Sequence, residues 1–237
     1  LVEKHVNINR LLELTKPVAT AVVPISAGRH TYKREPSFPI AVACDPAFNF
    51  VYEANIRYLH HLGEVTYFSP LADTSLPDAG FVYLPGGYPE LYLAALSANR
   101  QMLQSIRRYV ESGGKLLAEC GGMMYLCDEI RDKNGYVYPM AGVLHQSATM
   151  ENMKLRLGYR TLLYNETRLK GHEFHYSRLV EQQNPLPSCA VAYTAKGVET
   201  DTPLYHYKNV WAGYTHLYWA DPVGNEWFTK FVIDGNT

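Results

Sequence analysis

The 237-residue chain has no excess of charge of either sign. Its 22 Lys and Arg stand against 23 Asp and Glu, for a formal net charge of −1. Binding a phosphate backbone or an anionic membrane calls for a basic surface, so neither nucleic acid nor membrane is expected as a partner. No apolar run approaches the ~20 residues that cross a bilayer, and no secretory leader is visible. Cysteine is sparse: Cys44, Cys120, Cys127 and Cys189 form no Cys-x-x-Cys pair and no zinc-type spacing. That usage fits a reducing cytoplasm, and no metal site is expected. The P-loop pattern Gly-x-x-x-x-Gly-Lys-Ser/Thr is missing too. Gly113-Gly114-Lys115-Leu116 lacks both its hydroxyl residue and its earlier glycine, so no ATP cradle is expected in this chain. Repeats and low-complexity tracts are also missing. The first residue is Leu1 rather than Met, which suggests a piece of a longer protein.

What is present centres on Lys-Leu-Leu-Ala-Glu-Cys-Gly-Gly, residues 115–122. Lys115–Ala118 predicts a buried strand and Gly121–Glu129 the start of a helix, with Cys120 at the corner. A side chain on such an elbow is expected to be exposed and to face the positive end of the helix. Those surroundings favour the thiolate, the nucleophilic form. Residues 81–91 form a second apolar strand that ends in Gly86-Gly87, able to present a backbone N–H to a developing oxyanion beside that of Gly121. His216, in Trp-Ala-Gly-Tyr-Thr-His-Leu-Tyr-Trp, closes a third β-prone run and supplies a candidate general base. Three chemical roles thus fall at strand ends, the edge where open α/β sheets bind ligands.

The pattern predicts an α/β fold: an open, mostly parallel sheet with helices on both faces, extended by partly antiparallel strands. Expected strands are Ile40–Cys44, Val65–Phe68, Phe81–Leu84 and Lys115–Glu119. Expected helices are Asn49–Leu62, Pro89–Leu96 and Asn99–Ser112, the last stopped by Gly113-Gly114. Beyond Asp132, the runs Tyr136–Tyr138, Leu155–Leu163, Ala190–Thr194 and Val210–Tyr214 are expected to extend the sheet. Residues 3–15 loosely fit an amphipathic helix and 27–38 read as a linker. We therefore expect residues 1–38 to be the tail of a preceding domain plus its connection, and 39–237 the domain that carries the chemistry.

LPGGYPELY, ECGGMMYL, GHEFHYS and YTHLYW, in that order, resemble the glutaminase domain of cobyrinic acid a,c-diamide synthases, a corrinoid branch of the class I glutamine amidotransferases. AVACDPAFNFVYEANIRYLHHLG at 41–63 resembles the opening strand and helix of that domain. The likeness runs from about Pro39 to about Pro222. It implies that Cys120 attacks the side-chain amide of L-glutamine, that His216 is the base, and that Gly87 and Gly121 supply the oxyanion-hole N–H groups. It implies ammonia delivered to an N-terminal ATP-dependent synthetase domain of the same protein, where ATP and Mg would bind; this chain itself would bind no cofactor. The product would be the a,c-diamide of cobyrinic acid in cobalamin biosynthesis, although the glutaminase half cannot distinguish that substrate from related tetrapyrroles. Gly86, Tyr88, His175 and Tyr176 become candidate substrate contacts.

Some positions depart from the pattern. Many class I glutaminases have Glu two residues after the histidine, and here that residue is Tyr218. Glu173 and Asp221 are candidate orienting acids for His216, and a Cys-His dyad with a backbone orienter is equally acceptable. Ala118 replaces a usual Gly, and Leu144-His145-Gln146 an expected Pro-Gly turn. Two rival readings are a non-catalytic glutaminase-like module that binds or regulates the synthetase, and an unrelated elbow-cysteine hydrolase.

Overall fold

The computed structural model describes residues 7–14 and 38–234. The chain divides into two compact units, Leu1–Glu35 and Pro36–Thr237. In the first, the described residues form one helix, α1 (Ile8–Leu14), capped by the Asn7 side chain on the Arg10 N–H. The expected linker falls outside the described residues except for Phe38. That residue instead starts the first strand, paired with Gly63.

The second unit is built on a six-stranded sheet. Its members are β1 (Phe38–Ala43), β2 (Gly63–Phe68), β3 (Phe81–Leu84), β4 (Lys115–Glu119), β13 (Leu204–Tyr207) and β14 (Val210–Gly213). The order is β13-β14-β4-β3-β1-β2, parallel except for β13 at the edge. Parallel interior strands are buried on both faces and read as unbroken apolar runs, which is what FVYL and LLA are. On one face pack α3 (Leu93–Ala98), α4 (Arg100–Glu111) and α5 (Gly121–Leu126). Met102, Leu103, Ile106 and Val110 form the buried stripe of α4, and Asn99 caps it through the Met102 N–H, a contact worth about 1 kcal/mol. The other face is covered by α2 (Glu53–Leu62) and α6 (Pro222–Thr229), with Trp211, Trp219 and Phe228 fully enclosed. Among the described residues, no helix is long and apolar enough to cross a membrane.

Three sequence expectations are corrected. The helix expected from Asn49 begins at Glu53, because Phe50 stays extended and its N–H bonds to the Gly86 carbonyl. The helix expected from Pro89 is a single 3-10 turn, Pro89–Leu91, followed by the separate α3. Of the later β runs only Val210–Gly213 joins the main sheet. β5 (Glu129–Arg131), β6 (Val137–Pro139), β7 (Ser147–Thr149) and β10 (Arg178–Leu179) make a four-stranded sheet. β8 (Arg156–Tyr164), β9 (Thr167–His175), β11 (Val191–Thr194), β12 (Glu199–Thr200) and β15 (His216–Leu217) make an antiparallel one. The β8–β9 hairpin alternates its side chains between two faces: Leu162 and Leu169 join the core under α2 and α6, and its Phe174 end reaches Cys120 at the carboxyl end of β4.

Candidate active site

β4 is held on both sides, Ala118 opposite Leu84 and Glu119 opposite Gly213, and its last ladder bond runs from the Cys120 N–H to the Gly213 carbonyl at 2.7 Å. One residue later the chain is helical, with Met124 N–H on the Cys120 carbonyl. Cys120 absorbs the whole change of direction, at φ 48° and ψ −104°. A non-glycine residue there stores roughly 1–3 kcal/mol of strain. Gly122 has no alternative, since a Cβ on it would lie 2.1 Å from the Leu84 carbonyl oxygen.

The thiol is not exposed as the elbow alone suggests. Cys120 is 4% accessible, and its sulfur points at the Phe174 carbonyl oxygen 3.9 Å away. Burial, with the negative charge of Glu90 next, pushes its pKa up to about 12 against the opposing pull of the Gly121 N–H. The expectation of a resting thiolate is therefore corrected: α5 is a six-residue helix, and desolvation outweighs what its N-terminus contributes. Such a thiol needs a base at the moment of attack.

The two candidate oxyanion donors converge. A Cβ on Gly121 would sit 3.2 Å from the Gly87 nitrogen, and one on Gly87 would strike the Ala47 carbonyl oxygen at 2.1 Å. The Gly87 N–H has no acceptor among the described residues, and the Gly121 N–H turns to the Cys120 sulfur. Beside the sulfur lies a cavity of about 20 Å³, walled by Tyr88, Phe174, His175, Tyr176 and Ser177. A second cavity of about 340 Å³, lined by Arg156, Glu173, Arg178 and Asp201, shares His175 and Ser177 with it. A larger cavity, about 460 Å³, lies between the β8–β9 turn and α6 and touches none of these residues.

His216 is paired across β15–β9 with His172, and its ring stacks on that imidazole at 5.1 Å and against Phe50 at 4.4 Å. Gly86, expected to touch substrate, serves this ring instead: a Cβ there would stand 2.1 Å from Cε1 of His216. Burial, and then His172 and His175, lower the His216 pKa to about 3, so the imidazole is neutral at pH 7 but less basic than an ordinary histidine. No hydrogen bond joins it to the Cys120 sulfur among the described residues.

The CobB/CobQ-like glutamine amidotransferase domain matches residues 39–223. The chain belongs to this family. It is 33% identical over 228 residues to the cobyrinate a,c-diamide synthase of Leptospira interrogans, covering 92% of this chain and 50% of that protein. It is 40% identical over 185 residues to the hydrogenobyrinate a,c-diamide synthase of Pseudomonas aeruginosa, covering 76% and 41%. The chain thus spans about half the length of the curated relatives it matches. Among solved structures, a glutamine amidotransferase aligns with TM-score 0.53 at 17% identity, over 81% of this chain and 98% of the other. PurLQS from Thermotoga maritima aligns with TM-score 0.53 at 16% identity, over 84% and 96%. Both likenesses concern the fold.

Within this amidotransferase domain, neither candidate acid reaches His216. Glu173 lies on the opposite face of β9 from His172 and Phe174, and is ion-paired with Arg160 at 2.6 Å. Asp221 caps α6 through the Gly224 N–H and pairs with Lys170. Tyr218 is half-exposed, its ring edge-on to Tyr52, and Tyr52 hydrogen-bonds His172. The imidazole is thus placed by packing, and its Nδ1 is buried with no partner. Two buried side chains that motif reading passed over reach this segment: Asn55 and Glu119.

A pH effect follows from the buried ring. The folded His216 binds its proton only near pH 3, against 6.5 for an ordinary histidine. Its contribution to stability is therefore present above pH 6.5 and is lost as pH falls toward 3, by at most about 1.4 kcal/mol per pH unit. Glu119, raised to about 8 from 4.5, acts in the opposite sense: it keeps a proton that the unfolded chain releases, so stability falls as pH rises across that window. The two offset each other in the wild type. In His216→Asn only the Glu119 trend is left, so the stability advantage of wild type over the variant should grow from pH 5 to pH 7. Urea midpoints at both pH values measure this, and a constant difference would contradict a buried neutral imidazole.

Proposed function

We propose that this chain is the glutaminase part of an ATP-dependent amidotransferase of the cobyrinate a,c-diamide synthase type. The observation that carries the reading is a strained elbow cysteine whose sulfur takes the Gly121 N–H, with the unbonded Gly87 N–H beside it. When glutamine enters, Cys120 attacks the amide carbon while His216 accepts the thiol proton. Gly87 and Gly121 N–H hold the tetrahedral oxyanion, each such donor being worth about 2.7–4 kcal/mol in the transition state. His216 returns the proton to the departing nitrogen, which leaves as ammonia. Water then cleaves the γ-glutamyl thioester to glutamate and restores the thiol. Tyr88, His175 and Tyr176 form the walls that the side-chain amide would meet.

The ammonia is destined for a carboxylate activated by ATP and Mg in the part of the polypeptide that relatives carry beyond this match. Cobyrinate or hydrogenobyrinate, named for the relatives, is the acceptor class. Tyr88, Phe174 and Tyr176 at the pocket, with Leu157 and Tyr159 beyond them, expose an apolar collar that suits contact with that synthetase segment. The four cysteines are unpaired, in keeping with a cytoplasmic setting.

A second reading, a non-catalytic module, draws on Tyr218 and on the missing bond between sulfur and imidazole. Intact-mass labelling with a diazo-ketone analogue of glutamine separates the two. One adduct that maps to Cys120, is blocked by glutamine and disappears in Cys120→Ser establishes a working site. No adduct on this chain or on a full-length synthase carrying it leaves only the module.

A further inference from the structure

β15 consists of two residues, yet it must hold the imidazole of His216 against packing alone. Its backbone is satisfied by buried side chains from distant parts of the chain. Glu119, 2% accessible, receives the Leu217 N–H on Oε1 at 3.0 Å and the Tyr83 hydroxyl on Oε2 at 2.7 Å. Asn55, fully buried on α2, completes the clamp. Its Nδ2 donates to the Leu217 carbonyl at 2.8 Å, and its Oδ1 accepts the Trp219 N–H at 2.9 Å. Glu119 is also the residue that precedes the elbow cysteine, on the last step of β4. One carboxyl group therefore bolts the strand that ends at Cys120 to the strand that starts at His216. Buried carboxyls are costly and persist where they are fully engaged. This one engages both oxygens, and Tyr83 is itself locked edge-on against Trp219 at 4.9 Å.

We infer that Glu119 is a positioning residue for the glutaminase reaction: it stands in for the acid missing at Tyr218 by fixing the Leu217 backbone next to His216 rather than touching the imidazole ring. The inference rests on the reading of Cys120 and His216 as nucleophile and base. It explains how a domain whose imidazole Nδ1 has no partner still presents that ring in one orientation. Truncating Glu119 leaves the Leu217 N–H and the Tyr83 hydroxyl without acceptors, and β15 then keeps only Asn55 and its pairing with β9 against a shift. Since a misplacement of about 1 Å can cost a hundredfold in rate, the expected loss is large. Glutamine keeps an acceptor for Leu217 and a polar partner for Tyr83, so Glu119→Gln should retain most of the rate.

The test is the rate of labelling of Cys120 by the same diazo-ketone, as a function of its concentration, with the adduct mapped by peptide mass. Wild type, Glu119→Gln, Glu119→Ala, His216→Ala and the double variant are compared, with thermal melts of each. Glu119→Ala is expected to lower the maximal labelling rate about a hundredfold while the half-saturating concentration stays put, and Glu119→Gln to restore it. In the His216→Ala background, Glu119→Ala should produce no further loss, because it acts through that ring. If the two losses multiply, or if Glu119→Ala changes only the melting temperature, Glu119 is structural and the inference is overturned. Should Glu119→Ala fail to fold, Glu119→Asp takes its place; it keeps a carboxyl group but is too short to hold both donors. An unlabelled wild type, or a His216→Ala as fast as wild type, overturns the underlying nucleophile–base reading instead. An unaffected Glu119→Ala beside a slow His216→Ala overturns only the role of Glu119.

Discussion

Cys120→Ala and Cys120→Gly are both expected to release no measurable ammonia from glutamine, a drop of roughly 10⁴-fold or more, since nothing else near the N–H pair can form the thioester. Their stabilities should differ in an unusual direction. In ordinary helix or strand positions glycine is worse than alanine by about 0.5–1 kcal/mol. At φ 48° the alanine keeps the strain that the cysteine carries, while glycine releases it. Cys120→Gly should therefore melt above Cys120→Ala, by about 1 kcal/mol in denaturant titrations. An alanine variant equal to or more stable than the glycine one would mean that the elbow is not strained. Catalytic placement and backbone comfort conflict at this residue in the proposed reaction, which needs the cysteine side chain there.

The second large effect is expected from Gly86→Ala. Gly86 has a φ open to any residue, so the backbone accepts alanine. The added methyl cannot be accepted in place, because it would come within 2.1 Å of the His216 ring and 2.8 Å of its Nδ1. The ring has no free side to turn to, being held between Phe50 and His172. Overpacking should cost about 1–3 kcal/mol of stability, and the displaced base should cost about a hundredfold or more in glutamine hydrolysis. Ammonia release by the folded variant measures this. A variant close to wild type in rate would show that His216 does not work from its observed position.

The elbow was legible because it is local. An apolar run, one cysteine and two glycines specify strand, corner and helix within a few residues, and the Gly86-Gly87 pair is legible for the same reason. Cys120 was misjudged as exposed because its cover comes from far away, from Phe174 to Ser177 and from Glu90. Phe50 fits a helical pattern by itself, and only its pairing with Gly86 makes it extended. Glu119 sat in full view inside the motif, yet its partner Leu217 lies 98 residues away, and no spacing rule spans that gap. Glu173 misled in the opposite way: an acid next to His172 in sequence points to the other side of a strand, toward Arg160. Strand alternation favoured that outcome, but which face looks at Cys120 depends on a hairpin whose docking is a tertiary fact.

The cavity beside the sulfur has room for a single water, not for an amino acid. Glutamine must therefore wait for Tyr88, Phe174 and Tyr176 to part, and its apparent affinity is diluted by the fraction of time they do so. Whatever surface comes to lie on those three rings gains control over when nitrogen is spent.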